Sequence, residues 1–547
     1  MASGELLPRP CPSVDSRGGW RAALFLVGNR FSLRAIRTAS LASRSRPSPL
    51  LDFGCGLFPA AVGLLERVGF YGVQSNLIMY LTGPLGMSTA TAAAGVSAWA
   101  GTVEVLPLVG ALAADSRLGR YRAVVAAGVL NLLSLGMLTV SSALQTPQKV
   151  SPSSTTPAWL FSFYVALYLL ALGQGFHRPA AQALGADQFA AIDDEPSARA
   201  SRSSYFNWYH FSISWGYAIA ATALSYVQDN VGWTTGFGAC WAAMALCLAV
   251  FLLGTRTYRA EQPVDGRPFA EAVRAWMAKV FCRKDATDTE RLLTPEREEG
   301  NKGLVVKLLP IWLTSLVFTA IFSQVTTLFT KQGSTLDRRL GTATGLVVPP
   351  AALQLFISGT FITMVPVYDR LLVPLARRVT GRHAGVTTLQ RIGAGMAMSG
   401  VAMVVAALVE ARRLRVARDA GLVDRPDVAL PMSLWWIVPQ YFLLGVAGVL
   451  TEIGLEEFFY DEVPDALRST GLAFSLSAFG AGYYISSLLV SAIDWATRSN
   501  GESWFSDNLN RAHLDYFYWI LAGLAAMEVA VFVHFANRFV YRSKSEL

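Results

Sequence analysis

The sequence predicts an all-α membrane protein with twelve transmembrane helices arranged as two six-helix bundles. Three observations carry that reading. Apolar residues make up 53% of the 547 residues and charged residues only 15%, against about a quarter charged in soluble domains. The missing charge is concentrated in runs: 232–254, 386–409, 430–450 and 516–535 hold almost no ionised group, and at about 20 residues each can cross a hydrocarbon core of roughly 30 Å. The polar stretch 255–303 then divides the apolar segments six and six. Such runs are too long for barrel strands, and in lipid only helices or closed barrels satisfy the backbone.

In chain order the predicted spans are 51–82, 90–113, 121–143, 159–178, 203–227, 232–254, 304–330, 341–364, 386–409, 430–458, 467–493 and 513–536. This gives an atypical N-terminal region 1–50, bundles 51–254 and 304–536, a connector 255–303, and a tail 537–547. Two bundles rocking about a midplane site is a transporter architecture. An even span number puts both termini on one side, and positive loops place them in the cytoplasm with the connector and the tail. Arg117, Arg120, Arg370, Arg377, Arg378 and Arg382 fall on that side, whereas Arg412, Arg413, Arg415, Arg418 and Arg425 run against the rule.

The net charge of +8 therefore reads as positive-inside loops, not as a nucleic-acid surface. Cys11, Cys55, Cys240, Cys247 and Cys282 show neither ligand spacing nor a paired extracellular pattern, so no metal and no disulfide scaffold is expected. No cofactor motif appears, and the chain does not read as an enzyme.

Charge inside a span is costly, so each such residue is a functional candidate. The first span carries Glu66 and Arg67, whose adjacent side chains diverge by about 100° and are expected to seek partners on other helices. The second carries Glu104, either a proton site or a structural hydrogen-bonding group, with Asp115 and Arg120 at the following turn. The fourth is expected to end at Arg178, just before Pro179; its fixed guanidinium can hold an anion or carboxylate. The fifth opens with Tyr205, Phe206, Trp208, Tyr209 and Phe211, able to line a cavity or anchor an interface. The tenth carries Glu452, Glu456 and Glu457. His177, His210, His383, His513 and His534 form no ligand cluster in the sequence.

Long motifs recur in order through the chain: ERVGFYGVQSNLIMYLTG at 66–83, GTVEVLPLVGALAADSRLGRY at 101–121, ALGQGFHRPAAQALGADQF at 171–189, YFNWYHFSISWG at 205–216, EEFFYDEVPDALRS at 456–469 and NLNRAHLDYFYW at 508–519. In this order they resemble the nitrate and peptide transporter family, the proton-dependent oligopeptide transporters of the major facilitator superfamily, and specifically its plant branch. The resemblance implies alternating access driven by a proton gradient. It implies proton coupling at Glu66, Arg67, Arg178 and Glu457, and a gate at Asp115 and Arg120. It also implies a substrate cavity at Tyr71, Asn76, Arg178, Phe322 and Gln324, to which the aromatic opening of the fifth span adds Tyr209.

Three positions depart from the family pattern. Gly63 stands where the first-helix motif has its first glutamate; Arg178 replaces a lysine; Phe322 replaces a histidine of a nitrate-carrying relative. In addition, RFSLRAIRTASLASRSRPSPLLDFG at 30–54 separates GGWRAALFLVGNRF from the rest of the first helix. Five arginines and two prolines make that insert unfit to continue a membrane helix; a retained intron or wrong exon edge accounts for it, a true variant being the competitor. The expected activity is proton-coupled symport of nitrate, di- or tripeptides or another small anionic or carboxylate-bearing metabolite. An uncoupled or exporting transporter, or a transport-inactive homologue, is the alternative. The expected partners are substrate, protons and the bilayer, with no nucleic acid. The chain is expected to be a monomer in the plasma membrane, with the vacuolar membrane as the alternative.

Overall fold

The computed structural model describes residues 60–113, 119–144, 158–187, 212–256, 258, 307–339, 347–368, 378, 387–462, 468–498 and 503–539. Asp115, Tyr209, the insert 30–54 and nearly all of the connector 255–303 lie outside them.

The described chain is almost wholly helical. Helix α1 (Ala60–Gln74) and α2 (Leu77–Thr82) form one interrupted rod. Then come α3 (Thr89–Ala113), α4 (Arg120–Ala143) and α5 (Ala158–Asp187). Residues 212–219 lead through a π turn, Ala220–Leu224, into α6 (Ser225–Asn230), and α7 (Trp233–Leu253) follows. In the second half stand α8 (Leu316–Phe322), α9 (Leu328–Ser334), α10 (Leu355–Val367), α11 (Thr388–Asp419), α12 (Val438–Asp461), α13 (Arg468–Arg498) and α14 (Leu514–Arg538). A short parallel pair, β1 (Leu336–Asp337) with β2 (Leu430–Ser433), is the exception to the all-helical expectation.

Among the described residues nine helices are long and apolar enough to cross a membrane, not twelve. The shortfall has local causes. The first span is broken at Ser75 and Asn76; the fifth is described only from residue 212 and carries the π turn; the eighth is the shorter helix Pro350–Met364. Two helices instead outrun expectation. α5 continues nine residues beyond Arg178, straight through Pro179. α11 runs to Asp419, held at its start by a capping box in which Thr387 and Gln390 bond each other's backbone N–H.

That extension explains four of the five arginines that defied the loop-charge rule, Arg425 alone lying in the loop beyond α11. Arg413 is wholly buried, bonded to Glu410 on the same helix (2.6 Å), to Asn510 (2.9 Å) and to the carbonyl of Leu509. Arg412 lies over the ring of Trp436. Arg415 and Arg418 each donate to a carbonyl one turn back on α11. These residues are helix, not loop, and Arg413 is neutralised internally.

Packing follows the two halves of the chain. α1 packs on α7, α3 and α4 on α5, and α4 on α7; in the second half α11 packs on α12 and α14, α12 on α10, and α8 and α12 on α13. The principal contact between the halves is α3 against α13. Glycines make it close: a Cβ on Gly480 would stand 2.4 Å from Val105 Cγ2 and 3.0 Å from the carbonyl oxygen of Gly101. Beside them Thr102 and Tyr484 share a 2.8 Å hydroxyl hydrogen bond.

Candidate functional site

The site is assembled around α5, and its geometry begins with a missing hydrogen bond. Pro179 has no N–H, so the carbonyl of Gly175 loses its partner one turn on. Gly110 of α3 packs onto that carbonyl so closely that a Cβ there would lie 2.0 Å from its oxygen. Gly175 reciprocates, its own Cβ position lying 2.5 Å from Leu106. This intimate α3–α5 contact brings Glu104 to Arg178: Arg178 Nη1 lies 2.7 Å from Glu104 Oε1 and 2.8 Å from Oε2. The two side chains keep 21% and 16% of their surface, so the pair lines a space and is not sealed in the core.

Other helices converge on this ion pair. Tyr71 of α1 is within electrostatic reach of Arg67, Arg178, Glu104 and Glu452, and its ring meets that of Tyr217 at 4.6 Å. Tyr483 of α13 is within reach of Glu104, Glu452, Tyr71 and Arg178. Tyr217 donates to Gln354 Oε1 at 2.7 Å, and Gln354 donates to the carbonyl of Ser75 at 2.9 Å. The cluster thus draws charged and phenolic side chains from both halves together. It can hold a small charged molecule between fixed charges and phenol rings.

Glu66 and Arg67 are buried on α1 just before Tyr71. Contrary to the expected divergence they pair with each other, Arg67 Nε to Glu66 Oε2 at 3.1 Å. Gly216 packs against the base of this side chain, a Cβ there falling 2.5 Å from Arg67 Cβ. Arg67 also lies over the Tyr71 ring, which links this pair to the central cluster.

Glu457 is placed differently. It is half-exposed and bonded to Arg391 of α11 at 3.1 Å. Glu452, five residues earlier and on another face of α12, is the acidic residue within reach of Glu104 and Arg178. Asn76 spends its amide hydrogens on Gln228 (3.1 Å) and Asp229 (3.0 Å). Gln324 bonds Ser323, Ser486 and the carbonyl of Ala320 in the α8–α13 contact. Phe322 packs beside Phe318 and close to Gly448. The structure therefore brings Tyr71 and Arg178 together, and holds Asn76 and Gln324 in local networks. Arg120 opens α4; Asp115, the other expected gate residue, lies outside the described residues. Among the described residues no group of three or more His, Cys, Asp or Glu side chains could hold a metal ion.

Sequence reasoning singled out Glu104 without its partner and missed Tyr217, Tyr483 and Gln354. Helix periodicity says which residues share a face but not which faces meet across 74 residues. The signal available was Pro179 following glycines in one span, with glycine and an acidic residue in another.

Among the described residues, hydrogen bonds and ion pairs between the two halves fall at two levels. Lys331 to Thr82 (2.9 Å), the backbone N–H of Thr89 to Asp507 (2.8 Å), Arg338 to Asp229 (4.0 Å) and Gln354 to Ser75 lie toward the end bearing the 83–88 turn. Tyr217–Gln354 and Thr102–Tyr484 lie at mid-depth.

A sequence profile of the POT family matches residues 121–505. Protein NRT1/ PTR FAMILY 5.10 of Arabidopsis thaliana is 44% identical over 563 residues, covering 97% of this chain and 94% of that protein. An auto-inhibited POT family peptide transporter superposes with a TM-score of 0.69 at 20% identity, covering 89% of this chain and 98% of that one. A POT family transporter in complex with 5-aminolevulinic acid gives 0.62 at 16% identity, covering 88% and 96%. At those identities the two solved structures speak for a shared fold.

Proposed function

The chain belongs to the POT family and is a secondary active transporter, not an enzyme, and from that premise we propose that it is a proton-coupled symporter for a small anionic or carboxylate-bearing substrate. The observation that carries this reading is the Glu104–Arg178 pair among Tyr71, Tyr217, Tyr483 and Glu452. A substrate carboxylate or nitrate would take Arg178 in competition with Glu104, since guanidinium keeps its charge at any usable pH. The relative that holds 5-aminolevulinic acid, an amino-carboxylate, supports this class.

In this reading the chain forms twelve spans in two six-helix bundles, 51–254 and 304–536. Asp115 and Arg120 gate the cytoplasmic side, where the connector also lies. The end bearing the 83–88 turn is then extracytoplasmic. Glu66, Arg67, Arg178 and Glu457 are the coupling residues, and Tyr71, Tyr209 and Arg178 the substrate contacts. The transporter works as a monomer in the plasma membrane. Gly63 favours a second reading, uncoupled or exporting transport, because a helix-one carboxylate is missing there.

The test is uptake by the reconstituted protein of nitrate, dipeptides, 5-aminolevulinic acid and a neutral glucoside, with and without an acid-outside gradient. Gradient-driven accumulation of a charged substrate is expected. Accumulation of the glucoside alone, indifferent to the gradient, would overturn the reading.

A further inference from the structure

His177 looked unremarkable in the sequence, yet α5 places it beside the first-helix charges. Its Nδ1 lies 3.8 Å from Glu66 Oε1, and both residues are buried, at 7% and 2% exposure. Neither of those two atoms has a partner within hydrogen-bond distance among the described residues, and the amide of the neighbouring Gln174, although directed at Glu66, is likewise short of a full bond. Buried polar atoms are seldom left unsatisfied, so three such side chains meeting at one place mark a bonding deficit. A gap of that length closes by a small ring movement or by one bridging water.

The charged and titratable groups around the gap are few. Arg67 pairs with Glu66 from the same helix, Arg178 follows on α5 and is bonded to Glu104, and Cys247 of α7 donates to the carbonyl of Val62. Neither arginine can release its proton. Gly63, one turn before Glu66, offers no carboxylate. Histidine is the side chain whose charge changes most readily between about pH 5 and 8.

We infer that His177 and Glu66 form a proton-holding pair between α1 and α5. A proton arriving at His177 Nδ1 creates an imidazolium that draws Glu66 Oε1 toward it. Glu66 then holds Arg67 less tightly, and the guanidinium turns further over Tyr71 toward the central cluster. Loss of the proton restores the Glu66–Arg67 pair. This rests on the proton-coupled reading above and names a residue through which coupling would run.

The experiment uses the full chain in liposomes. Gradient-driven accumulation and gradient-free substrate counterflow are measured side by side for the parent, His177→Gln, His177→Asn and Glu66→Gln. The expected result is counterflow near the parental rate in both His177 variants, with accumulation reduced by about tenfold or more and its pH profile flattened. A parent without gradient-driven accumulation would remove the coupled reading and this pair with it. A coupled parent whose pH profile survives both His177 variants would overturn the pair alone. Loss of counterflow together with accumulation in both variants would reduce His177 to a contact holding α5 on α1, and would also overturn it.

Discussion

Glu104 and Arg178, on different helices, meet through a single nitrogen: Nη1 of the arginine contacts both carboxylate oxygens, at 2.7 and 2.8 Å. The cation expected to greet an anionic substrate is therefore already engaged, and binding becomes an exchange of one carboxylate for another. Removing Arg178 also leaves a carboxylate stranded in a restricted space, a change that costs more than the pair contributes.

Arg178→Ala should abolish uptake of a charged substrate, whereas Arg178→Lys should retain part, because it keeps the charge while losing the planar fork. Glu104→Gln should tighten anion binding and slow release, since it removes the carboxylate that competes for the guanidinium. Purified-protein binding beside single-turnover uptake separates the two effects. Unchanged binding in Arg178→Ala would remove this residue from the site.

Gly480→Ala should impair transport without preventing insertion. The added methyl would stand 2.4 Å from Val105 Cγ2, inside any tolerable contact, and overpacking of this kind costs about 1–3 kcal/mol. Gly101→Ala, whose nearest atom would be at 3.0 Å, should be milder. Uptake normalised to surface protein gives the ranking; equal activity of all three proteins would show that α3 and α13 slide apart freely.

Arg413→Ala should be strongly destabilising, by about 3–5 kcal/mol, because it strands buried Glu410. Replacing both partners, Glu410→Leu with Arg413→Met, should restore much of that loss. Thermal unfolding in detergent checks it. A double variant as unstable as the single one would mean that the bonds to Asn510 and Leu509, not the ion pair, hold this end together.

Asp229, beyond the end of the fifth span, offers a pH test. Burial pushes its carboxyl above the ordinary aspartate range, against the opposing pull of Asn76 and Arg338. A raised folded value favours the folded state in acid: the contribution is fully present below the unfolded value and lost as pH rises through the raised one. Asp229→Asn should therefore unfold no earlier than the parent near neutral pH and lose ground to it on acidification. Melting curves across that window decide the matter, and a parent that gains on the variant as pH rises would contradict the assignment.

Much of the fold was legible because lipid demands long uncharged helices, and α4, α7 and α14 announce themselves by composition alone. The first and fifth spans were harder, for Asn76 interrupts one and a π turn loosens the other. α5 and α11 were longer than expected because a close-packed proline and an internally paired arginine look, one residue at a time, like helix ends. At the site, Arg178 was legible as a lone charge and Tyr71 by resemblance. Glu452 was noticed among three acids, but only the facing of α12 toward Arg178 separates it from Glu457. His177 was invisible for the same reason, since its importance lies in a neighbour on another helix.

The carbonyl of Gly175 that Pro179 leaves without its helical donor has a mechanical meaning. A helix flexes most easily where an internal bond is absent, and here that joint immediately adjoins Arg178. Bending α5 there turns the guanidinium on a short lever while Glu104 stays anchored to α3. A small rotation there would reshape the helix and uncover or cancel one unit of charge together, tying local shape to electrostatic potential.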